Sequence, residues 1–163
     1  MPKIKILITG GTFDKVYDEN KQVLRFQQTH VPHVLKEGRC RLETEVVTLM
    51  LKDSREMTDA DRDILANYCN AATETKLIVT HGTDTMDKTA EYLAQRCKGK
   101  TIVLTGAMVP YAFGSSDGLF NLGCALAFVQ TLPAGVYVAM NGQCFAAGNV
   151  KKNTESGYFS PVR

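Results

Sequence analysis

The sequence predicts an α/β fold on a mainly parallel sheet, because short apolar runs alternate with segments of helical periodicity. The apolar runs are rich in Val, Ile and Leu, as expected for strands buried on both faces of a sheet. They cover Ile4–Ile8, Val46–Met50, Leu77–Val79, Ile102–Leu104 and Val136–Met140. Strands that alternate with helices favour parallel pairing through crossover connections.

The clearest helical segment follows Thr58. Apolar residues between Ile64 and Ala72 fall on one face of a helix. Thr58 is a good N-cap, and Asp59 and Asp61 place negative charge in the first turn. These signals predict a helix that begins directly after Thr58.

Two further segments show the same periodicity. One spans Met86–Cys97, with Thr83 or Asp84 as a possible N-cap. The other spans Leu119–Val129, with Asp117 as a possible N-cap. Each lies between two of the apolar runs, which completes the alternation of strands and helices.

Polar segments follow three of the predicted strands. They are Thr9–Thr12, Thr80–Thr85 and Thr105–Pro110. In open α/β sheets, ligands bind beyond the carboxyl ends of the strands. Two other polar stretches have no clear periodicity, so we expect a mobile loop over Asp14–Gln28 and an irregular segment over Asn149–Arg163.

Length and composition indicate one domain over residues 1–163, with no second, C-terminal domain. The net charge of +2 gives no reason to expect a nucleic-acid or membrane partner. Five cysteines at irregular spacing are expected to be reduced thiols. No signal peptide or membrane-spanning run is recognised, so a cytoplasmic protein is expected.

The segment Thr9-Gly10-Gly11-Thr12 could carry chemistry. Its glycines allow a tight turn and close approach of a ligand to the backbone. The purely structural alternative is a Gly-rich turn in which a threonine side chain bonds its own backbone. The dinucleotide-binding pattern G-x-G-x-x-G is absent, as is a P-loop lysine.

The segment from Thr80 to Thr85 is a second candidate, since it joins a predicted strand to a predicted helix. A helix N-terminus can stabilise an oxyanion. A hydroxyl needs a base to become a good nucleophile, and Lys152, Tyr17 and Asp84 are candidates. On its own, Lys152 could equally be an ordinary solvated residue.

Metal chemistry has little support in the sequence. His30 and His33 have metal-like spacing but no further ligand at suitable distance along the chain. His81 is interpreted as a packing or hydrogen-bonding residue. No metal or organic cofactor is expected.

Six segments together resemble the bacterial-type L-asparaginase (asparaginase–glutaminase) family, in order and separation along nearly the whole chain. They begin at Ile8-Thr9-Gly10-Gly11-Thr12 and continue through Asp53–Thr58, His81–Met86, Thr105–Pro110, Ser116–Leu122 and Met140–Thr154. The resemblance implies a three-layer fold with helices on both faces of the sheet, like the N-terminal domain of that family.

The resemblance also implies site residues. Thr12 is similar to the primary nucleophile, and Tyr17 to a loop tyrosine that helps take its proton. Thr83, Lys152 and Asp84 resemble a hydroxyl–lysine–carboxylate group. The expected chemistry is acyl transfer to threonine, release of ammonia, and hydrolysis by water.

Substrate binding is implied for a second set of positions. Ser54 is similar to the serine that binds the substrate α-carboxylate, and Asp84 to the carboxylate that meets the α-ammonium. Gly11, Gly82, Thr83 and Ala107 complete the expected binding set. A small-molecule amino-acid substrate and a homodimer or homotetramer are implied.

The chain departs from the family pattern at three positions. Arg55 stands where glutamine is common, Val109 replaces a frequent arginine, and Tyr17 follows Thr12 more closely than in many relatives. The segment matching the family's second domain is also absent.

Three functional hypotheses stay open from the sequence. The first is an asparagine amidohydrolase. The second is a non-catalytic module that binds an amino acid or regulates a partner. The third is an amidase for glutamine, a D-amino acid or an amide on a larger molecule.

Overall fold

A six-stranded sheet forms the centre of the computed structural model, which describes residues 1–163. Ten strands occur in chain order: β1 (Ile4–Gly10), β2 (Lys15–Asp18), β3 (Val23–Phe26), β4 (Thr44–Lys52), β5 (Lys76–Thr80), β6 (Thr101–Thr105), β7 (Gly135–Met140), β8 (Gln143–Ala146), β9 (Lys151–Lys152) and β10 (Phe159–Ser160). Four helices accompany them: α1 (Val31–Glu37), α2 (Asp59–Ala71), α3 (Met86–Arg96) and α4 (Gly118–Thr131).

The central sheet has the strand order β4-β1-β5-β6-β7-β8. The first five strands are parallel to one another, and β8 pairs antiparallel with β7 at one edge. Each of the five apolar runs lies within one of the parallel strands. The predicted mainly parallel sheet is therefore confirmed.

Helices cover both faces of the sheet, which confirms the three-layer arrangement. On one face, α2 and α3 contribute Leu65 and Leu93 to a core of 18 buried residues. On the other, α1 and α4 contribute Val34 and Leu122 to a core of 13. Apolar side chains on both faces explain why the strands read as continuous apolar runs.

The predicted start of α2 is confirmed. The Thr58 backbone N–H donates to Asp61 Oδ2 at 2.9 Å, and the Asp61 N–H donates to Thr58 Oγ1 at 3.2 Å. This reciprocal capping box satisfies two N–H groups that the helix cannot bond internally.

The predicted N-cap of α3 is wrong, whereas the predicted N-cap of α4 is right in position but makes no side-chain capping bond. Thr85, not Thr83 or Asp84, is the N-cap of α3, and its side chain makes no capping bond. Asp117 is the N-cap residue of α4, but its carboxylate accepts from the Met108 N–H at 2.9 and 3.0 Å instead of capping the helix. In each case the polar side chain bonds a group outside the helix instead of the first turn of the helix.

The segment Asp14–Gln28, predicted as a mobile loop, instead contains regular structure, because β2 and β3 form an antiparallel hairpin there. Its turn is closed by Asp18 Oδ1, which accepts from the N–H groups of Asn20 and Lys21 at 3.1 Å each. At the open end of the hairpin, the carboxylate of buried Asp14 accepts a hydrogen bond from the His30 N–H at 2.8 Å. Burial raises the pKa of Asp14.

The segment after Asn149, predicted to be irregular, contains the short antiparallel pair β9 and β10. Lys152 pairs with Phe159, which is buried. Asn141 Oδ1 accepts from the Phe159 N–H at 2.8 Å and ties this pair to the end of β7. These contacts bring Lys152 to the carboxyl edge of the sheet.

None of the four helices is both long and apolar enough to cross a membrane.

Candidate active site

Two glycine backbones meet at the carboxyl edge of the sheet. Gly11 has φ of 82°, and a Cβ added to it would lie 2.5 Å from both the N and Cα atoms of Gly82. A Cβ on Gly82 would in turn lie 2.6 Å from Ser54 Oγ. Only glycine fits both positions, so the loops after β1, β4 and β5 come into direct contact.

A cavity of about 190 Å³ opens above these glycines. Ten residues line it: Gly11, Thr12, Lys15, Leu24, Asp53, Ser54, Arg55, Gly82, Thr83 and Asp84. Six predicted site residues from the loops after β1, β4 and β5 therefore line one cavity: Gly11, Thr12, Ser54, Gly82, Thr83 and Asp84. The sheet positions them as expected for a site beyond parallel strand ends.

Lys152 is the only lysine whose amine bonds a threonine that lines the cavity. Its Nζ lies 2.8 Å from Thr83 Oγ1 and 2.9 Å from Asp84 Oδ1. The Lys152 side chain is 14% exposed and that of Asp84 45%, so this pair lies at the border of the interior. An amine held between a hydroxyl and a carboxylate can exchange a proton with the hydroxyl while the carboxylate orients it.

Ser54 is fixed from the side of α3. The Thr85 hydroxyl donates to the Ser54 carbonyl at 2.9 Å, and the Thr85 N–H donates to Ser54 Oγ at 3.3 Å. Ser54 is 2% exposed, and its Oγ keeps its own proton available for another acceptor. The serine is thus presented to the cavity as a hydrogen-bond donor.

A buried chain of hydrogen bonds fixes Gly82. Arg62 Nε donates to Thr89 Oγ1 at 2.8 Å, and Thr89 Oγ1 lies 2.8 Å from His81 Nε2. His81 Nδ1 lies 2.7 Å from the Gly82 carbonyl, which can only accept. Because arginine can only donate, we assign the directions Arg62 to Thr89, Thr89 to His81, and His81 to Gly82.

This assignment requires a neutral His81. Burial lowers the pKa of His81 to about 4, although its bond to the Gly82 carbonyl acts in the opposite direction. The imidazole is therefore uncharged at neutral pH and can accept from Thr89. The expected role of His81 as a hydrogen-bonding residue fits this arrangement.

Charged side chains form the rim of the cavity. Arg55 donates to Asp53 from Nε at 3.0 Å and from Nη2 at 2.8 Å, and Lys15 Nζ donates to Asp53 Oδ2 at 2.9 Å. The side-chain bonds from Arg55 lower the pKa of Asp53, and the same bonds raise the pKa of Arg55. Arg55 Nε also lies 3.6 Å from Asp84 Oδ2.

Apart from Lys152, which reaches the cavity through Thr83 and Asp84, two predicted site residues do not line it. Tyr17 is 51% exposed on β2, but it pairs with Leu24, which does line the cavity. Cross-strand partners share a face of a hairpin, so Tyr17 lies beside the cavity mouth. Ala107 is buried in the core under α4. The functional roles of both residues stay predictions.

The two largest of the cavities described lie elsewhere and lack this chemistry. One of about 590 Å³ is lined by His30, His33 and Tyr111, and one of about 670 Å³ also contains the two histidines. Neither contains a hydroxyl bonded to a lysine. No three His, Cys, Asp or Glu side chains are grouped so that they could hold a metal ion.

Sequence reasoning left several site residues unassigned. Lys15 and Leu24 fall in the segment taken as a loop, where no clear periodicity marked the hairpin. Arg55 was noticed only as a departure from a pattern. Arg62 had no sequence signal, because a charged helix residue is normally exposed.

Comparisons with known proteins agree with this geometry. The family model described as "Asparaginase, N-terminal" matches residues 3–159. The "Probable L-asparaginase periplasmic" of Haemophilus influenzae is 32% identical over 94% of this chain and 47% of its own length. "L-asparaginase 2" of Escherichia coli K12 is 30% identical over 93% of this chain and 47% of its own length.

Solved structures match equally well. The "Probable Cytoplasmic L-asparaginase" of Campylobacter jejuni superposes with a TM-score of 0.84 and 30% identity, over 99% of this chain and 53% of that one. The thermostable L-asparaginase of Thermococcus kodakarensis has a TM-score of 0.84 and 25% identity, over 98% of this chain and 51% of that one.

The chain spans about half the length of these relatives, 47% of each of the two curated sequences. Within that span, the family model covers the residues that form both cores and every loop of the candidate site. The chain therefore belongs to the asparaginase family and corresponds to its N-terminal domain.

Proposed function

We propose that this chain hydrolyses the side-chain amide of L-asparagine, giving aspartate and ammonia, with Thr12 as nucleophile. The observation that carries the proposal is the placement of Lys152 Nζ between Thr83 Oγ1 and Asp84 Oδ1, beside a cavity that Thr12 also lines. The two threonines and the lysine supply a nucleophile and a proton carrier for acyl transfer. Residues 1–163 act as one catalytic domain in this proposal.

In the first half of the reaction, Thr12 Oγ1 attacks the amide carbon and its proton passes to the site. Tyr17, at the cavity mouth on β2, helps to remove that proton. Backbone N–H groups near Thr12 and Thr83 stabilise the oxyanion, and the close glycine backbones of Gly11 and Gly82 let the substrate approach them. The C–N bond then breaks, a proton is given to the leaving nitrogen, and ammonia departs.

In the second half, water attacks the ester on Thr12. Thr83 and Lys152 form the proton pathway, because their polar atoms are 2.8 Å apart. Asp84 orients the Lys152 amine through the 2.9 Å contact to Oδ1. Collapse of the second oxyanion releases aspartate and returns the proton to Thr12.

The substrate's other end is bound at the rim. Ser54 donates from its hydroxyl to the α-carboxylate, since its oxygen is held in place by the Thr85 N–H. Asp84 faces the α-nitrogen. Ala107 contributes through its main chain, because its side chain lies in the core beneath the same strand ends.

The experiment is ammonia release by the purified 163-residue chain with L-asparagine, L-glutamine and D-asparagine. We expect release with L-asparagine, and loss of release in Thr12→Val. Thr48→Val, an exposed change on β4, is the matched control and should retain wild-type activity. Stabilisation by L-asparagine without any turnover would instead favour a binding module.

The same proposal includes assembly into a homodimer or homotetramer. It is supported by large apolar side chains that are exposed, with Met108 at 40%, Phe120 at 61% and Tyr158 at 65% exposure. Contiguous exposed apolar surface is typical of interaction sites. Light scattering should give a multiple of the 17.9 kDa chain mass, and a fully active monomer would contradict this part.

A cytoplasmic location is the last part of the proposal. All five cysteines are free thiols, as expected in a reducing compartment. One relative is named periplasmic and another cytoplasmic, so names alone do not decide between compartments. Cell fractionation of the natural host, followed by an antibody against this chain, tests the assignment.

A further inference from the structure

Lys15 lines the cavity of the candidate site, but the proposed reaction makes no use of it. It follows Thr12 closely in the chain and begins β2. Cross-strand pairing places Phe26 opposite Lys15 and Leu24 opposite Tyr17, so all four side chains share one face of the hairpin. Because Lys15 and Leu24 both line the cavity, this face of the hairpin forms one of its walls.

The amine of Lys15 is held against the loop that follows β4. Its Nζ donates to Asp53 Oδ2 at 2.9 Å, and the two side chains are only 15% and 18% exposed. The same Nζ lies 5.5 Å from the centre of the Phe26 ring, within the range of a cation–π contact. The charged end of Lys15 is therefore fixed at the cavity wall from two sides.

The bond to Asp53 leaves hydrogen-bond donors of Lys15 free. An ammonium group carries three N–H donors, and Asp53 is the only acceptor bonded to this one. Asp53 is also bonded by Arg55, from Nε at 3.0 Å and from Nη2 at 2.8 Å. A second carboxylate can therefore accept from Lys15 without leaving Asp53 unpaired.

The position of Lys15 matters more than the net charge around the cavity, because cations and carboxylates are equal in number there. They are Lys15, Arg55 and Lys152 against Asp53, Glu56 and Asp84. Arg55 is 70% exposed and faces two of these carboxylates, and Lys152 is bonded to Thr83 and Asp84. Lys15 is thus the sheltered cation with free donors on the side of the cavity that holds Asp53.

Ser54 lies on that same side. It follows Asp53 directly in the chain, lines the cavity and presents its hydroxyl as a donor. The cavity is small, at about 190 Å³, so donors on neighbouring parts of its wall can reach one bound group. A carboxylate has two oxygens and can accept from a hydroxyl and an ammonium at once.

We propose that Lys15 binds the substrate α-carboxylate together with Ser54, and that Lys15 makes this carboxylate a requirement for tight binding. The inference rests on the proposed function and adds a residue to its substrate site. One carboxylate oxygen accepts from Ser54 Oγ and the other from Lys15 Nζ, while the α-ammonium meets Asp84. Because Lys15 belongs to β2, the same contact holds the hairpin against the bound substrate.

The test measures the binding of two ligands to Thr12→Val by isothermal titration calorimetry, since this variant is expected not to turn them over. L-Asparagine carries the α-carboxylate, and L-asparaginamide has a neutral amide in its place. Adding Lys15→Met keeps the aliphatic stem and should weaken L-asparagine binding by about tenfold or more, because a charge-assisted bond is lost. It should not weaken L-asparaginamide. Lys21→Met removes the same charge from the exposed turn of the hairpin and should change neither affinity.

Steady-state kinetics of ammonia release give a second readout. In the otherwise wild-type chain, Lys15→Met should raise KM for L-asparagine by about tenfold and leave kcat within about threefold. Lys15→Arg returns a cationic donor and should recover much of the lost kcat/KM. A residue that served only to support the fold would affect both ligands alike.

The outcomes separate this inference from the proposed function. Equal weakening of both ligands, or no change in either, would overturn the role of Lys15 and leave the proposed function standing if wild type releases ammonia. Selective weakening of L-asparagine in a chain that releases no ammonia would support Lys15 as the carboxylate contact and remove the proposed function. No binding of L-asparagine to folded Thr12→Val, with no ammonia from wild type, would remove both.

Discussion

Arg62 is the largest side chain that is fully buried, at 1% exposure, and its replacement tests the buried support of the site. Its guanidinium bonds Thr89 Oγ1 at 2.8 Å, the Met57 carbonyl at 3.3 Å and Thr85 Oγ1 at 3.2 Å. Those partners belong to the loop that follows β4 and to the start of α3. Arg62 therefore joins the elements that carry Ser54 and Thr83.

Arg62→Met keeps most of the buried side-chain volume and removes the donors. Charged hydrogen bonds contribute about 1.5–3 kcal/mol each, and the three bonds longer than 3.1 Å fall at or below the weak end of that range. The loss is offset in part because a buried guanidinium is costly to desolvate. We expect the free energy of unfolding to fall by about 3 kcal/mol, and the Tm by about 10 °C.

Urea unfolding followed by circular dichroism measures this change as a lower midpoint at an unchanged m-value. Asp59→Asn is the matched control. It weakens only the Arg62 contact whose partner is 67% exposed, and should cost less than about 0.5 kcal/mol. If Arg62→Met lost less than about 1 kcal/mol, the buried network would not hold these elements together.

Three further predictions concern the site and its support. Buried His81 is neutral because its pKa is lowered to about 4, so the unfolded chain binds more protons than the folded chain below pH 6.5. The free energy of unfolding should therefore fall by about 3 kcal/mol from pH 6.5 to pH 4. Urea titrations measure this change, and a free energy of unfolding that is constant over this pH range would contradict the prediction. Gly11→Ala should cost about 3 kcal/mol or prevent folding, because its Cβ would lie 2.5 Å from the Gly82 backbone. Gly123→Ala, in α4 with no atom within 4 Å, should instead stabilise by about 0.5–1 kcal/mol in the same unfolding assay. Lys152→Met should lower kcat by about a thousandfold while near-native circular dichroism is kept, and activity within tenfold of wild type would remove it from the proton pathway.

The layers of the fold were predictable because their signals are local. Runs such as Ile102–Leu104 are buried on both faces and read as apolar throughout. The capping box of Thr58 and Asp61 lies within four residues and is visible in the sequence. Such elements need no knowledge of distant partners.

Other parts depend on distant partners, which local patterns do not reveal. Asp84 looks like a helix cap in the local sequence, and only the family resemblance grouped it with Lys152, which is 68 positions away and bonds its carboxylate. The hairpin of β2 and β3 has a four-residue turn and two short strands, so neither periodicity nor a two-residue turn signal marked it. Arg62 was not expected inside, because its partners come together only in the folded chain.

The candidate site falls between these cases. Spacing and residue type alone left both threonine segments with ordinary structural interpretations. The resemblance of six segments to one family identified both as parts of a candidate site. The structure places Thr12, Ser54, Thr83 and Asp84 around one cavity. The approach of Arg55 Nε to Asp84 Oδ2, at 3.6 Å, could not be read from the sequence, since it depends on how the loops after β4 and β5 pack together.

The most direct test of the account is to trap the acyl group that Thr12 is proposed to carry. Wild-type protein is mixed with L-asparagine in hydroxylamine, which intercepts an ester before water does, and the aspartyl hydroxamate is measured by mass spectrometry. We predict hydroxamate in proportion to ammonia with wild type, and none with Thr12→Val. Ammonia release without hydroxamate, or equal hydroxamate from Thr12→Val, would contradict a threonine-bound intermediate at Thr12.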